Sequence, residues 1–431
     1  MQNYTNMCEM TKFRQLFLLI ALSLGLTAVA ADPTATNYSA RECEGTSMPY
    51  PTPAVGSRAY PDSLTPLYLS HAGRHGARFL SSSKYTTALS RMLRKADSLK
   101  TITPTGKVLR KLTDEVVKRT AGRWGALDSL GMAEQRAIAA RTWQAYPDLF
   151  KYRKVSAISS YVPRCIASMD EFTHQLARMD NKIEIYTSSG RQNNALMRPW
   201  TDDADYKAYK DSEEWHTVYD GYFDSTIPAG LARKILGASY PFDEGEERDF
   251  AQNMYKILSG CAAMGMKIDA LKFLSLEEYN ALWAVNNLEH YLTHSASTLS
   301  RAPMDMAAAL LNNIVDGIDR AAEGKNDNGA ELRFGHAETM MPLLALMRMA
   351  GCYYMTNYFD TVGMHWRDFY VTPMATNLQI VLFKSTSGKL YVRAELNETP
   401  VPLIPGNKSI YVEWSKAKEY LLRCLPLYLQ P

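Results

Sequence analysis

A single histidine lies between two arginines in the stretch Ser70–Arg78, whose sequence is SHAGRHGAR. The apolar run Pro66–Leu69 precedes it and is typical of a buried strand, so we predict a glycine-loosened loop at the strand's end. Arginine provides a planar charged fork for phosphate oxygens, and histidine can act as nucleophile or base. A chance triplet is the alternative, but strand, glycines and two arginines together favour a phosphoryl-transfer site that needs no metal.

The segment Arg74–Leu80 (RHGARFL) resembles the Arg-His-Gly-x-Arg-x-Pro signature of the histidine acid phosphatases. Leu80 stands where that family usually has proline. Because proline would stiffen the end of the loop, we expect this difference to affect loop rigidity more than chemistry.

Two further segments resemble motifs of the same family, and they occur in the family's order. Ser159–Met169 (SSYVPRCIASM) is similar to the second arginine motif, which follows another strand. Leu332–Glu338 (LRFGHAE) ends in His-Ala-Glu, where many members carry His-Asp. The His-Ala-Glu form resembles the multiple inositol polyphosphate phosphatase branch, whose members act on phytate. The resemblance therefore covers nearly all of the chain that follows residues 1–30.

The resemblance implies a role for each of six residues. His75 would attack phosphorus and form a phosphohistidine, and Glu338 would protonate the leaving alcohol and then activate water. Four residues would bind the phosphoryl oxygens: Arg74, Arg78, Arg164 and His336. No cofactor is implied. Repulsion by the arginines is expected to lower the pKa of His75, and a bound phosphate ester to raise the pKa of Glu338.

Positive charge is concentrated around these motifs, although the formal net charge of the chain is only +3. Residues 63–96 contain no acid, and the only charged residues in 185–201 are Arg191 and Arg198. A local basic region suits a densely anionic small molecule, so both arginines are candidate substrate contacts. The predicted partner is inositol hexakisphosphate or a lower inositol phosphate. The small net charge gives no indication of nucleic-acid binding.

His290 and His294 have the i, i+4 spacing that can suit a metal ion on one helix face. No third ligand accompanies them, and the cysteine spacings match no zinc pattern. An ordinary helix face is therefore the favoured interpretation, and no metal site is predicted.

Residues 1–30 are typical of a secretory signal peptide. Lys12 and Arg14 precede the apolar run Leu16–Leu26, and Ala28-Val29-Ala30 predicts cleavage after Ala30. The run is too short for a comfortable transmembrane helix, so we expect a secreted or periplasmic protein without a stable membrane anchor. Five cysteines would remain, an odd number that leaves at least one thiol unpaired within a monomer.

The pattern of strands and helices predicts an α/β fold. The resemblance implies a phosphoglycerate-mutase-like lobe with a central mixed sheet flanked by helices, plus an inserted, mainly α-helical cap lobe. We expect residues 31–62 to form an extended lead-in, 63–195 and 326–431 a discontinuous catalytic domain, and 196–325 the cap. Helices are predicted at Lys84–Leu99, Gly131–Phe150 and Asp170–Met179.

Three functions remain open at this point. The His-Ala-Glu triplet and the basic clusters favour a phytase-like enzyme over a general acid phosphatase that acts on sugar phosphates or small monoesters. A secreted binding protein that has lost catalysis is the third, and the intact set of six residues argues against it. A monomer is expected.

Overall fold

The structure is a computed structural model and describes residues 37–53, 56, 58–151 and 153–429. The predicted signal peptide with its cleavage site after Ala30, and the first part of the predicted lead-in, lie outside these residues. Within them no helix is long and apolar enough to cross a membrane. The five cysteines of the described chain are all buried thiols: Cys43, Cys165, Cys261, Cys352 and Cys424.

A mixed sheet of eight strands organises the described chain, in the order β3-β2-β4-β1-β5-β6-β7, with β8 paired to β6. The strands are β1 (Leu64–Arg74), β2 (Lys154–Ser159), β3 (Glu184–Ser189), β4 (Asn328–Gly335), β5 (Asn377–Ser385), β6 (Leu390–Leu396), β7 (Thr399–Val401) and β8 (Val412–Glu413). β1, β2, β3 and β4 pair in parallel, whereas β5 to β8 add antiparallel pairs. Parallel strands present their carboxyl ends at one edge, where ligands usually bind in such sheets.

Helices cover both faces of the sheet and form a further layer. They are α1 (Lys84–Ser98), α2 (Pro104–Thr120), α3 (Ser129–Ala145), α4 (Pro163–Met179), α5 (Asn194–Met197), α6 (Ala204–Lys210), α7 (Glu213–Thr226), α8 (Leu231–Leu236), α9 (Glu246–Gly260), α10 (Leu276–His294), α11 (Ala302–Asp305), α12 (Ala308–Ala322), α13 (Ala337–Leu346), α14 (Val362–His365), α15 (Asp368–Val371) and α16 (Trp414–Cys424). Short 3₁₀ helices lie at Glu42–Ser47, Pro147–Leu149, Arg191–Asn193, Pro199–Thr201, Ala262–Met264, Ala270–Lys272, Phe359–Thr361 and Leu427–Leu429.

One face of the sheet packs against α3 and α4. Buried Phe172 and Leu176 of α4 lie in one apolar cluster with Val155 of β2 and Phe334 of β4. Successive strand residues point to opposite faces, so Tyr68 of β1 joins the larger cluster on the other side. Burying each such large apolar side chain contributes about 1.5–3 kcal/mol to stability, which fixes the sheet edge in place.

The opposite side of the sheet carries α12 and α13 against β1, and α16 against β6. Its apolar cluster extends into the helical layer built by α7 to α10. α1 and α2 pack against α8 and α9. The helical layer therefore includes helices from residues 84–120 as well as from the region 196–325. The boundaries between catalytic and cap domains stay a prediction.

The first motif differs from the prediction, because its first half is strand and not loop. β1 continues through Ser70–Arg74, with Gly73 opposite Asn377 of β5 and Arg74 opposite Gly335 of β4. Pairing on both sides extends the strand, since neighbouring strands satisfy its backbone groups despite the glycine. His75 is thus the first residue beyond a central strand, which fixes its position more firmly than a loop would.

Other boundaries also differ. The predicted helix Gly131–Phe150 ends at Ala145, because Pro147 cannot continue the hydrogen-bond pattern. α4 begins at Pro163, seven residues before the predicted start, since proline suits the first turn of a helix. The lead-in is not simply extended, because it contains the 3₁₀ helix Glu42–Ser47, which packs against α9, α10 and α15.

We predict that His71, in the middle of β1, makes stability fall in acid. His71 is 1% exposed, and neither ring nitrogen has a hydrogen-bond partner among the described residues. Burial with nearby Arg333 and Arg58 lowers its pKa from 6.5 to about 3. Below pH 6.5 the imidazole of His71 is protonated in the unfolded chain but stays neutral in the folded chain. The free energy of unfolding therefore loses about 1.4 kcal/mol per pH unit from 6.5 toward 3.

Urea denaturation of the wild type and His71→Leu at pH 7 and pH 5.5 measures this contribution. The variant should lose about 1.4 kcal/mol less than the wild type between the two pH values. An identical pH dependence in both proteins would contradict the assignment to His71.

Candidate active site

His75 is fixed by the strands on both sides of β1. Its N–H donates to the carbonyl oxygen of Gly335 at 3.0 Å, and its own carbonyl accepts the N–H of Ala375 at 3.0 Å. The N–H of Arg74 donates to the carbonyl of Thr376 at 2.7 Å. The backbone of the motif is therefore held at the sheet edge where β4 ends and β5 begins.

The residue after the histidine is a glycine because two backbones meet there. A Cβ on Gly76 would lie 2.4 Å from the carbonyl oxygen of Gly131, and a Cβ on Gly131 would lie 2.2 Å from the carbonyl oxygen of Ala77. Real Cβ atoms do not approach so closely, so both positions require glycine. The first turn of α3 thus lies directly against the motif.

Side chains of α3 and α4 bind the same turn. The N–H of Ala77 donates to Oε2 of Glu134 at 2.7 Å, and the N–H of Gly76 donates to Oγ of Ser168 at 3.1 Å. Glu134 also accepts the N–H of Tyr50 at 2.8 Å. Burial raises the pKa of Glu134, although these two backbone bonds and Arg74 oppose the change.

Leu80, which replaces the family's proline, is buried at the end of the loop. A Cβ on Gly260 of α9 would lie 2.5 Å from Cδ2 of Leu80, so the leucine occupies the space that this glycine leaves. The carbonyl of Leu80 accepts the N–H of Gly125, and the N–H of Phe79 donates to the carbonyl of Ala126. The packing of Leu80 and these backbone hydrogen bonds hold the end of the loop, which in other family members is restricted by the ring of proline.

Three arginines of the motifs converge on His75. Arg74 is 3% exposed, and its Nη1 donates to the carbonyls of Thr46 at 2.5 Å and Thr372 at 2.6 Å. Burial lowers the pKa of Arg74 to about 9, and repulsion by Arg78 and Arg164 adds to the effect. Burial and Arg164 likewise lower the pKa of Arg78 to about 10. These guanidinium groups are close enough to repel one another.

Four guanidinium groups each leave a donor unused. The Nε atoms of Arg74, Arg78, Arg164 and Arg198 are buried and make no hydrogen bond with the described part of the chain. An unpaired buried donor is costly, and a planar guanidinium fork matches phosphate geometry. This set of donors is therefore suited to an anion with several oxygens.

The imidazole of His75 is oriented by its own loop. Nδ1 lies 2.9 Å from the carbonyl oxygen of Gly76, which can only accept, so the proton is on Nδ1 and Nε2 carries the lone pair. His75 is 2% exposed. Burial, followed by Arg164, Arg74 and Arg78, lowers its pKa well below the usual value. Repulsion by the arginines was predicted, and burial is the larger cause.

His336 and Glu338 lie where β4 meets α13. His336 precedes the helix, its N–H donates to Oγ1 of Thr339 at 3.0 Å, and its ring centre is 5.7 Å from that of His75. Burial lowers the pKa of His336 to about 3, so the ring is neutral without ligand. Glu338 lies in the first turn. Burial alone would raise its pKa, but His336, His294 and Arg74 hold it below the usual value.

Arg191 and Arg198 both lie over one aromatic ring. Each guanidinium carbon is 5.0 Å from the ring centre of Tyr161. Arg198 also lies 5.1 Å from the ring of Trp200, and Trp200 meets His336 edge-on at 5.5 Å. Arg198 therefore borders the site directly, whereas Arg191 is exposed to solvent.

A cavity of about 480 Å³ lies between α1, α7, α9 and α10. Its lining includes Lys84, Tyr85, Lys256 and Glu289. Tyr85 is close enough to affect the pKa of Arg78, which places the cavity beside the motif. Its volume is in the usual range for small-molecule sites.

Sequence reasoning missed several residues that shape this site. Glu134 and Gly131 carry no local signal, because their roles depend on a helix that meets the motif from 57 residues away. His294 was assigned to a plain helix face. Its Nε2 lies 3.3 Å from the hydroxyl of Tyr206, and it is near enough to Glu338 to lower that residue's pKa. His290 instead bonds Asp368 at 2.9 Å.

A sequence profile of the histidine phosphatase superfamily (branch 2) matches residues 73–397. The chain therefore belongs to this family and is a histidine acid phosphatase. Over 382 residues it is 23% identical to "Multiple inositol polyphosphate phosphatase 1" of Gallus gallus, covering 83% of this chain and 82% of that protein. The predicted family is confirmed.

Solved structures share the fold. The Bifidobacterium longum multiple inositol polyphosphate phosphatase, in complex with inositol hexasulfate, is 18% identical with a TM-score of 0.74, covering 90% of this chain and 99% of that chain. The phytase from D. castellii is 16% identical with a TM-score of 0.68, covering 93% and 89%. The predicted α/β fold class with a mixed central sheet is confirmed.

We predict that Gly131→Ala abolishes the geometry of the motif. The new Cβ would lie 2.2 Å and 2.6 Å from backbone atoms of Ala77, so the loop after His75 must move. A displacement of about 1 Å at a catalytic group can cost about 100-fold in rate. Phosphate release by the variant should fall by at least that factor.

Gly221→Ala provides the matched control, because Gly221 lies inside α7 and a Cβ there meets nothing within 4 Å. This change should leave activity unchanged and stability equal or higher. A fully active Gly131→Ala protein would show that the close approach does not position His75.

Proposed function

We propose that this phosphatase is a phytase-like phosphomonoesterase that hydrolyses inositol polyphosphates through a phosphohistidine intermediate. The observation that carries the proposal is the buried, neutral imidazole of His75. The lone pair is on Nε2, and Arg164, Arg74 and Arg78, whose Nε donors are unused, lie close enough to His75 to lower its pKa. A nucleophile must be unprotonated and its target must be held in line, and this arrangement satisfies both requirements.

In the first step Nε2 of His75 attacks phosphorus. A bond forms between nitrogen and phosphorus while the bond from phosphorus to the ester oxygen breaks. The phosphoryl oxygens gain bonds from Arg74, Arg78 and Arg164, whose fixed positive charge stabilises the transition state. The site requires no cofactor in this scheme.

Glu338 supplies the proton that the leaving alkoxide needs. Without ligand, the pKa of Glu338 lies below its usual value, so its carboxyl is ionised. A phosphate ester brings two negative charges into the same site, which opposes those neighbours and raises the carboxyl pKa. In the second step the Glu338 carboxylate takes a proton from water, water attacks phosphorus, and His75 is released.

Several features favour an inositol polyphosphate as the substrate. Two relatives are named multiple inositol polyphosphate phosphatases, and a third is named a phytase. Arg198 and Arg191 extend positive charge from the site along Tyr161. A ring that carries several phosphates can engage both groups while one phosphate reaches His75.

The mature enzyme is proposed to be a secreted or periplasmic monomer that begins at Ala31. The support is the predicted signal sequence at residues 1–30. The mass of the protein recovered from the periplasm would give this starting residue directly. Residues 196–325 would contribute the cap over the site.

Phosphate release from inositol hexakisphosphate, with a chelator present, tests the proposal. The wild type should be active and His75→Ala should lose at least about 10³-fold in rate, since the nucleophile is gone. His174→Ala is the control, because His174 is exposed on α4, and it should retain full activity. Arg198→Ala should raise KM for inositol hexakisphosphate more than for p-nitrophenyl phosphate.

The alternatives give different results in the same assay. Release from small monoesters but not from inositol hexakisphosphate would assign a general acid phosphatase. Tight binding of inositol hexakisphosphate without release from either substrate would assign a binding protein.

Glu338→Gln separates the proton donor from the nucleophile. With inositol hexakisphosphate the variant should release almost no phosphate, because an alcohol leaves poorly without a proton. With p-nitrophenyl phosphate the leaving group needs no proton, so about one nitrophenolate per enzyme should appear in a burst before slow turnover. Equal losses on both substrates without a burst would contradict the role of Glu338.

A further inference from the structure

The imidazole of His336 has a polar partner on each ring nitrogen. Nε2 lies 2.9 Å from Oγ of Ser160, and Nδ1 lies 3.2 Å from Nη2 of Arg164. His336 is 1% exposed and Ser160 is fully buried. In a site closed to water, such bonds determine which nitrogen carries the hydrogen.

The chemistry of the partners gives the direction of both bonds. A guanidinium group can only donate, so Nδ1 of His336 must accept from Arg164. The ring is neutral, because burial lowers its pKa to about 3, and its single hydrogen is therefore on Nε2. That hydrogen is donated to Oγ of Ser160.

The hydroxyl of Ser160 can accept this bond because its own hydrogen is used elsewhere. Its Oγ accepts the N–H of Val162 at 3.3 Å, and its hydroxyl lowers the pKa of the Cys165 thiol by hydrogen bonding, while Sγ of Cys165 also lies 3.5 Å from Nε2 of His336. Burial raises the pKa of the Cys165 thiol to about 12, so the thiol keeps its hydrogen and donates it to the carbonyl of Gly335 at 3.2 Å. The chain of donors runs in one direction and ends on the residue before His336.

We propose that Ser160 is a positioning residue that fixes His336 as the Nε2-protonated tautomer, with Nδ1 directed to Arg164 and the phosphoryl site. This inference rests on the proposed function, because Nδ1 of His336 has a role only if a phosphoryl group binds beside it. When Arg164 donates to a phosphoryl oxygen instead, the lone pair of Nδ1 becomes the place for the proton that makes His336 a donor. Without Ser160 a hydrogen on Nε2 would be a buried donor without its partner, and this cost opposes the single bond from Arg164 at 3.2 Å, so the hydrogen could move to Nδ1 and the ring could turn.

Nitrogen NMR of histidine-labelled protein, with the His336 signals assigned through His336→Asn, reads the tautomer directly. The wild type should show one species with hydrogen on Nε2. Ser160→Ala should show a mixture of tautomers, a 10- to 100-fold lower kcat/KM for p-nitrophenyl phosphate and a displaced limb of the pH profile. Ser160→Thr keeps the hydroxyl and should restore the wild-type tautomer and pH profile.

Ser159→Ala is the matched control. Ser159 is as buried as Ser160, and its Oγ donates to the Ser160 carbonyl at 3.0 Å without touching the imidazole. It should keep the single tautomer and the pH profile even if stability falls.

The outcomes separate this inference from the proposed function. A single Nε2 tautomer together with an unchanged pH profile in Ser160→Ala would overturn the role of Ser160. If the wild type releases no phosphate, the proposed function fails, and the tautomers of the wild type and Ser160→Ala still decide whether Ser160 orients the ring.

Discussion

Guanidinium groups that repel one another are held around a single buried imidazole, and the surrounding structure must oppose that repulsion. Burial and mutual repulsion lower the pKa of Arg74 to about 9 and that of Arg78 to about 10. The opposing contacts are mostly backbone. Two carbonyls bind Arg74, and the Gly76–Gly131 approach locks the loop against α3. An anion with several oxygens would relieve the repulsion, so the arrangement that creates it suits a phosphate group.

One electrostatic environment gives three titratable groups different states. His75 and His336 stay neutral because burial and nearby positive charge both disfavour the imidazolium form. Glu338 stays ionised because interactions with His336, His294 and Arg74 outweigh its burial. In the proposed mechanism the substrate's own charge raises the pKa of Glu338 and favours a proton on Nδ1 of His336. Glu338 would then be protonated when a phosphate ester is present, while the attacking Nε2 of His75 remains unprotonated throughout.

The fold class and the six candidate site residues could be predicted from the sequence, because each motif is local and follows a strand. The strand ends at β1, β2 and β4 bring Arg74, Arg164 and His336 together, as expected for parallel strands that share an edge. Glu134, Gly131 and Ser160 could not be predicted, since each acts through a contact that only the folded chain creates. The extension of β1 through Arg74 was missed because glycine suggests a loop, whereas pairing on both sides decides the conformation.

Trapping the covalent intermediate tests the central claim most directly. The enzyme would be mixed rapidly with ³²P-labelled inositol hexakisphosphate, quenched in alkali during turnover, digested, and its labelled peptide sequenced. Phosphate on Nε2 of His75, stable in alkali and lost in acid, is the predicted result. Turnover with no label on the protein, or label on any other residue, would contradict the account.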